Sequence, residues 1–208
     1  MNVLTSLANA ASALEKAGQS FALVGGLAVG IRSEPRFTRD ADLAVAVESD
    51  AEAEAIVHGF LSSGFRVLTT LEQEVTGRLA TVRLLAPGES EGRFVIDLLF
   101  ASSGIEPEIV AGATVEGLEP GLSLPVASAA HLVAMKVLSE NDSRFQDRAD
   151  LIALLADAPP EVIRTAREAL DLITQRGTHR GKDLQATLDH FVALAARATD
   201  TEFGFRTK

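Results

Sequence analysis

Apolar residues recur at helical spacing over the first stretch of the chain. Leu4, Leu7, Ala8, Ala11 and Leu14 fall on one stripe, as in an amphipathic helix docked on a core. The period then shortens. Phe21–Val24 is a continuous apolar run that stops at Gly25-Gly26, which reads as a buried strand breaking into a turn. The pattern predicts a second helix from about Leu27 to Ser33, a polar loop from Glu34 to Arg39, and a strand over Asp42–Val47. Ser49-Asp50 has the chemistry of a helix N-cap, and Ala55, Ile56 and Phe60 mark the apolar face of a helix running to about Ser62. Three β-like runs follow at Phe65–Leu71, Arg78–Leu85 and Phe94–Phe100, the last two split by a breaker-rich turn from Pro87 to Gly92. Gly104 to Gly121 is loop-rich, with room for one short helix and one short strand.

From Val126 the texture changes to alanine-rich helical periods: Ser128–Glu140, Arg144–Ala156, Pro160–Gln175 and Lys182–Ala198. These expectations sum to an α+β fold. Residues 1–125 form an α/β core on a mixed, largely antiparallel sheet, and residues 126–208 form a C-terminal helical bundle, with the seam near Leu124-Pro125. There is no internal repeat and no low-complexity segment.

Composition narrows the classes. The chain has 208 residues, 47% of them hydrophobic, enough for a sizeable core. No apolar run approaches the roughly 20 residues of a membrane span, and the first residues lack the basic head of a secretory signal. Without cysteine, disulfides and thiolate metal sites are excluded, which fits a reducing cytoplasm. The net charge of −10 is uneven: residues 1–125 carry eight basic against seventeen acidic side chains, and residues 126–208 eleven against twelve. A protein that coats nucleic acid by electrostatics would be basic, so that class is disfavoured. Phe is the only aromatic residue besides four scattered histidines, which limits base-stacking platforms.

Charge then meets pattern at Asp40 and Asp42. In a strand, alternate side chains leave one face with Cα atoms roughly 6–7 Å apart. Two carboxylates so placed repel unless water, a base or a cation intervenes. Mg²⁺, which takes a few oxygen ligands and keeps waters for the rest, satisfies them economically. A polar turn making local backbone bonds is the plainer alternative. Asp97 interrupts the apolar run Phe94–Phe100, and a lone buried carboxylate is costly without a partner. Beside the first strand it would complete a three-carboxylate cluster for two metal ions; on an edge strand it would only face solvent. Gly25-Gly26, at the head of a helix, offers backbone N–H groups to phosphate oxygens. Arg36 and Arg39 flank the acidic pair, either to hold phosphate or to balance charge.

Gly25-Gly26, then Arg36-Phe-Thr-Arg-Asp40-Ala-Asp42-Leu, then Val95-Ile-Asp97 resembles the nucleotidyltransferases of the DNA polymerase β superfamily. Lys136 with Ser143-Arg-Phe-Gln-Asp147-Arg-Ala-Asp150-Leu resembles the later signature of the AbiEii/AbiGii toxin family. The resemblance covers about Phe21 to Leu155. It implies a polymerase β-like fold, Asp40 and Asp42 as metal ligands, and Asp97 as third ligand and base. It also implies Lys136 on the nucleotide phosphates, with Asp147 or Asp150 orienting that lysine or the nucleotide. Read without the resemblance, Lys136 is a surface lysine and the run from Asp142 to Asp150 a solvated helix face.

The function expected is Mg²⁺-dependent transfer of a nucleotidyl group from an NTP to an acceptor hydroxyl. The resemblance implies a toxin paired with an antitoxin and acting on tRNA or protein. The acidic first half favours instead a small cationic acceptor such as an aminoglycoside. A catalytically silent homologue that binds nucleotide or a partner is the third reading. Arg176-Gly-Thr-His-Arg-Gly-Lys182, the one local basic stretch, reads equally as an RNA contact or a helix–helix loop.

Overall fold

The computed structural model describes residues 2–35, 37–89, 92, 94–141 and 143–204, with side chains described to residue 198. Helix α1 (Val3–Lys16) is capped by Asn2, whose side chain accepts from the backbone N–H of Thr5, and it buries Leu7, Ala10, Ala11 and Leu14. Strand β1 (Phe21–Val24) passes without a loop into α2 (Gly25–Arg32). Next come β2 (Asp40–Val45) and α3 (Asp50–Ser62), the latter capped by Ser49 through the N–H of Glu52. Strands β3 (Arg66–Glu72), β4 (Leu79–Leu85) and β5 (Val95–Leu99) lead to α4 (Glu106–Ala111), β6 (Thr114–Glu119) and β7 (Leu122–Val126). Four helices close the chain: α5 (Ala129–Ser139), α6 (Phe145–Leu155), α7 (Pro160–Gln175) and α8 (Leu184–Gly204).

The strands form one sheet in the order β3-β4-β5-β2-β1-β7-β6. Pairing is parallel at β5/β2 and β1/β7 and antiparallel at the other four junctions, so the sheet is mixed and largely antiparallel. The fold is α+β. Two details differ from the sequence pattern. Strand β2 begins at Asp40 because its parallel register with β5 starts there, opposite Val95, which puts both acids inside the ladder. Strand β7 was not expected, since Pro125 lies within it; the proline is tolerated where β7 pairs with β1 only at Leu23↔Val126.

One face of the sheet is apolar. Leu23, Leu43, Leu98 and Val82 stand opposite one another across β1, β2, β5 and β4, each at most 1% exposed. Helix α1 packs against β2 and β5, and α3 against β3 and β4. Helix α5 lies at the centre of the C-terminal helices, touching α2, α6, α7 and α8, and shares one continuous core with the sheet. That placement carries α5 to the edge of the other, polar face.

Candidate active site

Register decides what the polar face displays. Asp42 stands opposite Asp97, and Asp97 opposite Arg83 of β4, so three charged side chains leave adjacent strands in one row on one face. Asp40, two residues before Asp42, joins them. Strand β5 is central rather than an edge, and Asp97 is buried. These residues floor a cavity of about 450 Å³. Gly25 and Gly26 line it from the β1–α2 junction, Lys136 and Ser139 from α5, and Asp147 and Arg144 from the start of α6. Thus Gly25, Gly26, Asp40, Asp42, Asp97, Lys136 and Asp147, far apart in the chain, meet around one space. Arg39 is exposed and lies outside that lining, and Arg36 lies outside the described residues.

The Gly25 backbone has φ +65°, in the left-handed region that side chains avoid. Any Cβ there would sit 1.9 Å from an Asp42 carboxylate oxygen. Glycine is therefore required twice over, by the turn and by the acid packed against it. The N-cap of α2 is Val24, which makes no side-chain cap bond, and Gly25 and Gly26 at the start of the helix line the cavity, where helix-start amides suit an anion.

The carboxylates differ in their partners. Both oxygens of Asp97 accept from Arg83, Nε at 2.8 Å and Nη2 at 2.6 Å, the forked geometry that suits a guanidinium. Arg83 also lies 4.0 Å from Asp40. The bond to Asp97 raises the guanidinium's pKa, so Arg83 stays charged. Asp42 accepts no hydrogen bond from any described residue. Burial, with Asp97 and Asp40 beside it, pushes its carboxyl up to about 7, only partly offset by Lys136 and Arg83. Three acids face one arginine here. Among the described residues no three acidic or imidazole groups converge as a ready metal cage. The donor set nevertheless fits a divalent cation: Asp40 and Asp42 share a face, and the charged form of Asp42 is the one that burial and the neighbouring acids disfavour until a cation is beside it.

Lys136 is neither a surface lysine nor a free one. Its ammonium lies 2.6 Å from Asp147 and 2.7 Å from Asp150, and all three side chains are at most 11% exposed. Ser139 donates to the second Asp147 oxygen at 3.0 Å, and Arg144 is 3.1 Å from it. Burial would raise the Asp147 carboxyl, but the hydrogen bond and charge of Lys136, with Arg144 and Ser139, hold it below the usual range. Asp150 sits behind Lys136 rather than on the cavity, so its part is to support the lysine. The run 142–150 is thus not a solvated face at Asp147 and Asp150, while Asp142 lies outside the described residues.

Sequence reasoning missed two lining cations, Arg83 and Arg180. The alternation Ala80-Thr81-Val82-Arg83-Leu84 carried a signal for the first, since it puts an arginine on the polar side of an otherwise buried strand. The second sits in the basic stretch 176–182, whose position over the cavity has no mark in the sequence.

No curated protein matches the chain. Among solved structures, the antibiotic-resistance factor ANT(2″)-Ia is 18% identical over 98% of this chain and 97% of its own, with a TM-score of 0.48. An antigenic nucleotidyltransferase-like protein from Paracoccidioides brasiliensis is 18% identical over 88% and 91%, with a TM-score of 0.49. The nucleotidyltransferase toxin MenT4 from Mycobacterium tuberculosis is 14% identical over 92% of both chains, with a TM-score of 0.38. None of these reaches 0.5, so the assignment rests on sequence: residues 9–205 match the model of the nucleotidyl transferase AbiEii toxin of type IV toxin–antitoxin systems. With nearly its whole length matched, and with the glycine turn, acidic strand and buried lysine assembled around one cavity, the chain belongs to the AbiEii nucleotidyl transferase toxin family.

Proposed function

We propose that the protein is a Mg²⁺-dependent nucleotidyltransferase that moves a nucleotidyl group from an NTP to an acceptor hydroxyl, as the toxin of a toxin–antitoxin pair. The observation that carries this reading is the row of Asp42 and Asp97, with Asp40 beside it, at the floor of a cavity rimmed by the uncapped start of α2.

In this reading the α/β part, residues 1–125, supplies the acids and the helical part, residues 126–208, supplies Lys136. Asp40 and Asp42 would hold Mg²⁺, which would neutralise phosphate charge and favour the attacking oxygen. The acceptor oxygen forms a bond to the α-phosphorus, and the bond from that phosphorus to the bridging oxygen of the β-phosphate breaks. The electron pair of that bond leaves with pyrophosphate. Asp97 takes the hydroxyl proton, using a lone pair that Arg83 leaves free on a doubly hydrogen-bonded carboxylate. The amides of Gly25 and Gly26 and the third proton of the Lys136 ammonium hold the triphosphate. Positioning and charge stabilisation supply most of the acceleration.

The acceptor is a tRNA or protein hydroxyl in the first reading. The acidic sheet wall favours a second, a small polyamine-like acceptor drawn to Asp40 and its neighbours. Incubation with each labelled NTP, Mg²⁺ and either total tRNA or an aminoglycoside panel separates them. Label on tRNA or protein, lost in Asp42→Ala, supports the first; label on the antibiotic alone supports the second. No transfer to any acceptor, in the presence of a cell extract, would refute the enzyme reading.

A further inference from the structure

The loop between α7 and α8 is fastened on two sides. Toward the strand β5 end, the hydroxyl of Thr178 donates to the Ser103 carbonyl at 2.7 Å, and Arg176 forks onto Glu108 at 2.6 and 2.8 Å while reaching the Gly104 carbonyl. Toward α5, the Lys182 ammonium donates to the carbonyls of Leu138, at 2.8 Å, and Glu140. Between these anchors Arg180 takes φ +56°, the one positive φ at a non-glycine position among the described residues. A residue so constrained, carried on a pinned loop, brings its guanidinium to the cavity wall beside Arg144.

The four cations lining the cavity differ in what they have left to give. Arg83 forks onto Asp97, and Lys136 is paired with Asp147 and Asp150, which leaves it one proton for the nucleotide. Arg144 is ion-paired with Asp147. Arg180 uses one of its five N–H donors, on the Ser102 carbonyl at 3.2 Å, and forms no ion pair among the described residues. The guanidinium is exposed at the cavity wall, where partial desolvation and the nearby Arg144 disfavour its charge and Glu74 and Glu106 favour it, so a phosphate beside it would add the close counter-charge it lacks among the described residues. The site therefore has two unlike walls: carboxylates on β2 and β5, and cations on α5, α6 and the α7–α8 loop. A triphosphate has both needs, metal at the reacting phosphate and fixed cations at the departing end.

We infer that Arg180, seconded by Arg144, grips the β- and γ-phosphates of the nucleotide and holds the pyrophosphate as it leaves. This rests on the nucleotidyltransferase reading and adds a residue to it. The guanidinium forks onto two phosphate oxygens, and the pinned loop spares the cost of ordering it on binding.

The test is calorimetric binding of inorganic pyrophosphate, and separately of each nucleoside monophosphate, to the full chain with Mg²⁺. Arg180→Gly removes the guanidinium while easing the left-handed backbone, so the variant folds with an unchanged or higher melting temperature. Pyrophosphate binding should weaken about 10- to 100-fold, as expected for a lost charged hydrogen-bond pair, with monophosphate binding within about twofold. KM for NTP should rise in step, and Arg180→Lys should recover part of the loss. Unchanged pyrophosphate affinity in Arg180→Gly, or equal loss for pyrophosphate and monophosphate, would overturn the inference alone. Failure of the unaltered protein to bind pyrophosphate or any NTP would overturn it together with the reading beneath it.

Discussion

Two charged clusters share the cavity and differ in how complete they are. On the helical side, Lys136 stands between Asp147 and Asp150, with Ser139 on Asp147 and Gln146 donating to Asp150 at 3.1 Å. Every charge there has a partner, and little of it is exposed. On the sheet side, Arg83 answers Asp97 and leans toward Asp40, while the Asp42 carboxylate has no hydrogen-bond donor among the described residues. The first cluster is closed by the protein itself. The second is closed only when something positive arrives. In the first cluster the buried charges offset one another; in the second, burial and the neighbouring acids leave the charged form of Asp42 disfavoured, which is the difference the proposed metal site would use.

The comparison breaks most decisively at Asp42. Asp42→Asn keeps the shape and removes the charge; nucleotidyl transfer should fall about 10³-fold or more, the scale of losing several kcal/mol of transition-state stabilisation. Labelled NTP turnover checks it, and activity near that of the unaltered protein would remove Asp42 from the chemistry. Gly25→Ala should come next. Its methyl group would force the Asp42 carboxylate aside and strain the turn, so transfer should drop about 100-fold with the cavity lining otherwise intact.

Lys136→Met asks the opposite question of the closed cluster. It strands two buried carboxylates, a loss of about 3–5 kcal/mol, which for a chain of this length lowers the melting temperature by about 10 °C. A melting temperature within 2 °C of the unaltered protein would show that the lysine supports nothing, on the same scale of about 2–4 °C per kcal/mol.

The smallest effect is the pH dependence of stability. The Asp42 carboxyl titrates near 7 folded and near 3.8 unfolded, so the folded state holds its proton more tightly. Stability therefore declines as pH rises between those values, and the full penalty applies above 7. In EDTA, Asp42→Asn should melt higher than the unaltered protein at pH 8 and level with it near pH 4. Mg²⁺ should raise the melting temperature of the unaltered protein more at pH 8 than at pH 5. Equal melting of the two proteins at pH 8 would contradict the strained carboxylate.

Much of this was legible in the sequence, and for identifiable reasons. An apolar run ended by glycine marked β1, though α2 begins at Gly25 itself rather than after a turn at Leu27, and helical periods marked all four C-terminal helices, because one-sided burial leaves its period in the chain. The acids at 40, 42 and 97 stood out because a charge inside an apolar run demands an explanation. Register did not show. That Asp97 faces Asp42, and that Arg83 answers Asp97, follows from strand order β4-β5-β2, which no local pattern encodes. Arg180 was hidden for a related reason: the loop that carries it comes to the cavity through contacts between residues more than seventy positions apart. Strand β7 was masked by Pro125, whose missing donor argues against a strand until its partner is known.

The central claim is that Asp42 is an anion held in wait for a cation. Carboxyl-carbon NMR titration of the Asp42 side chain, in EDTA and again with saturating Mg²⁺, measures it directly. The account predicts a midpoint near 7 without metal, falling well below the ordinary carboxylate range when Mg²⁺ is present. A midpoint near 4 that Mg²⁺ leaves unmoved would contradict it.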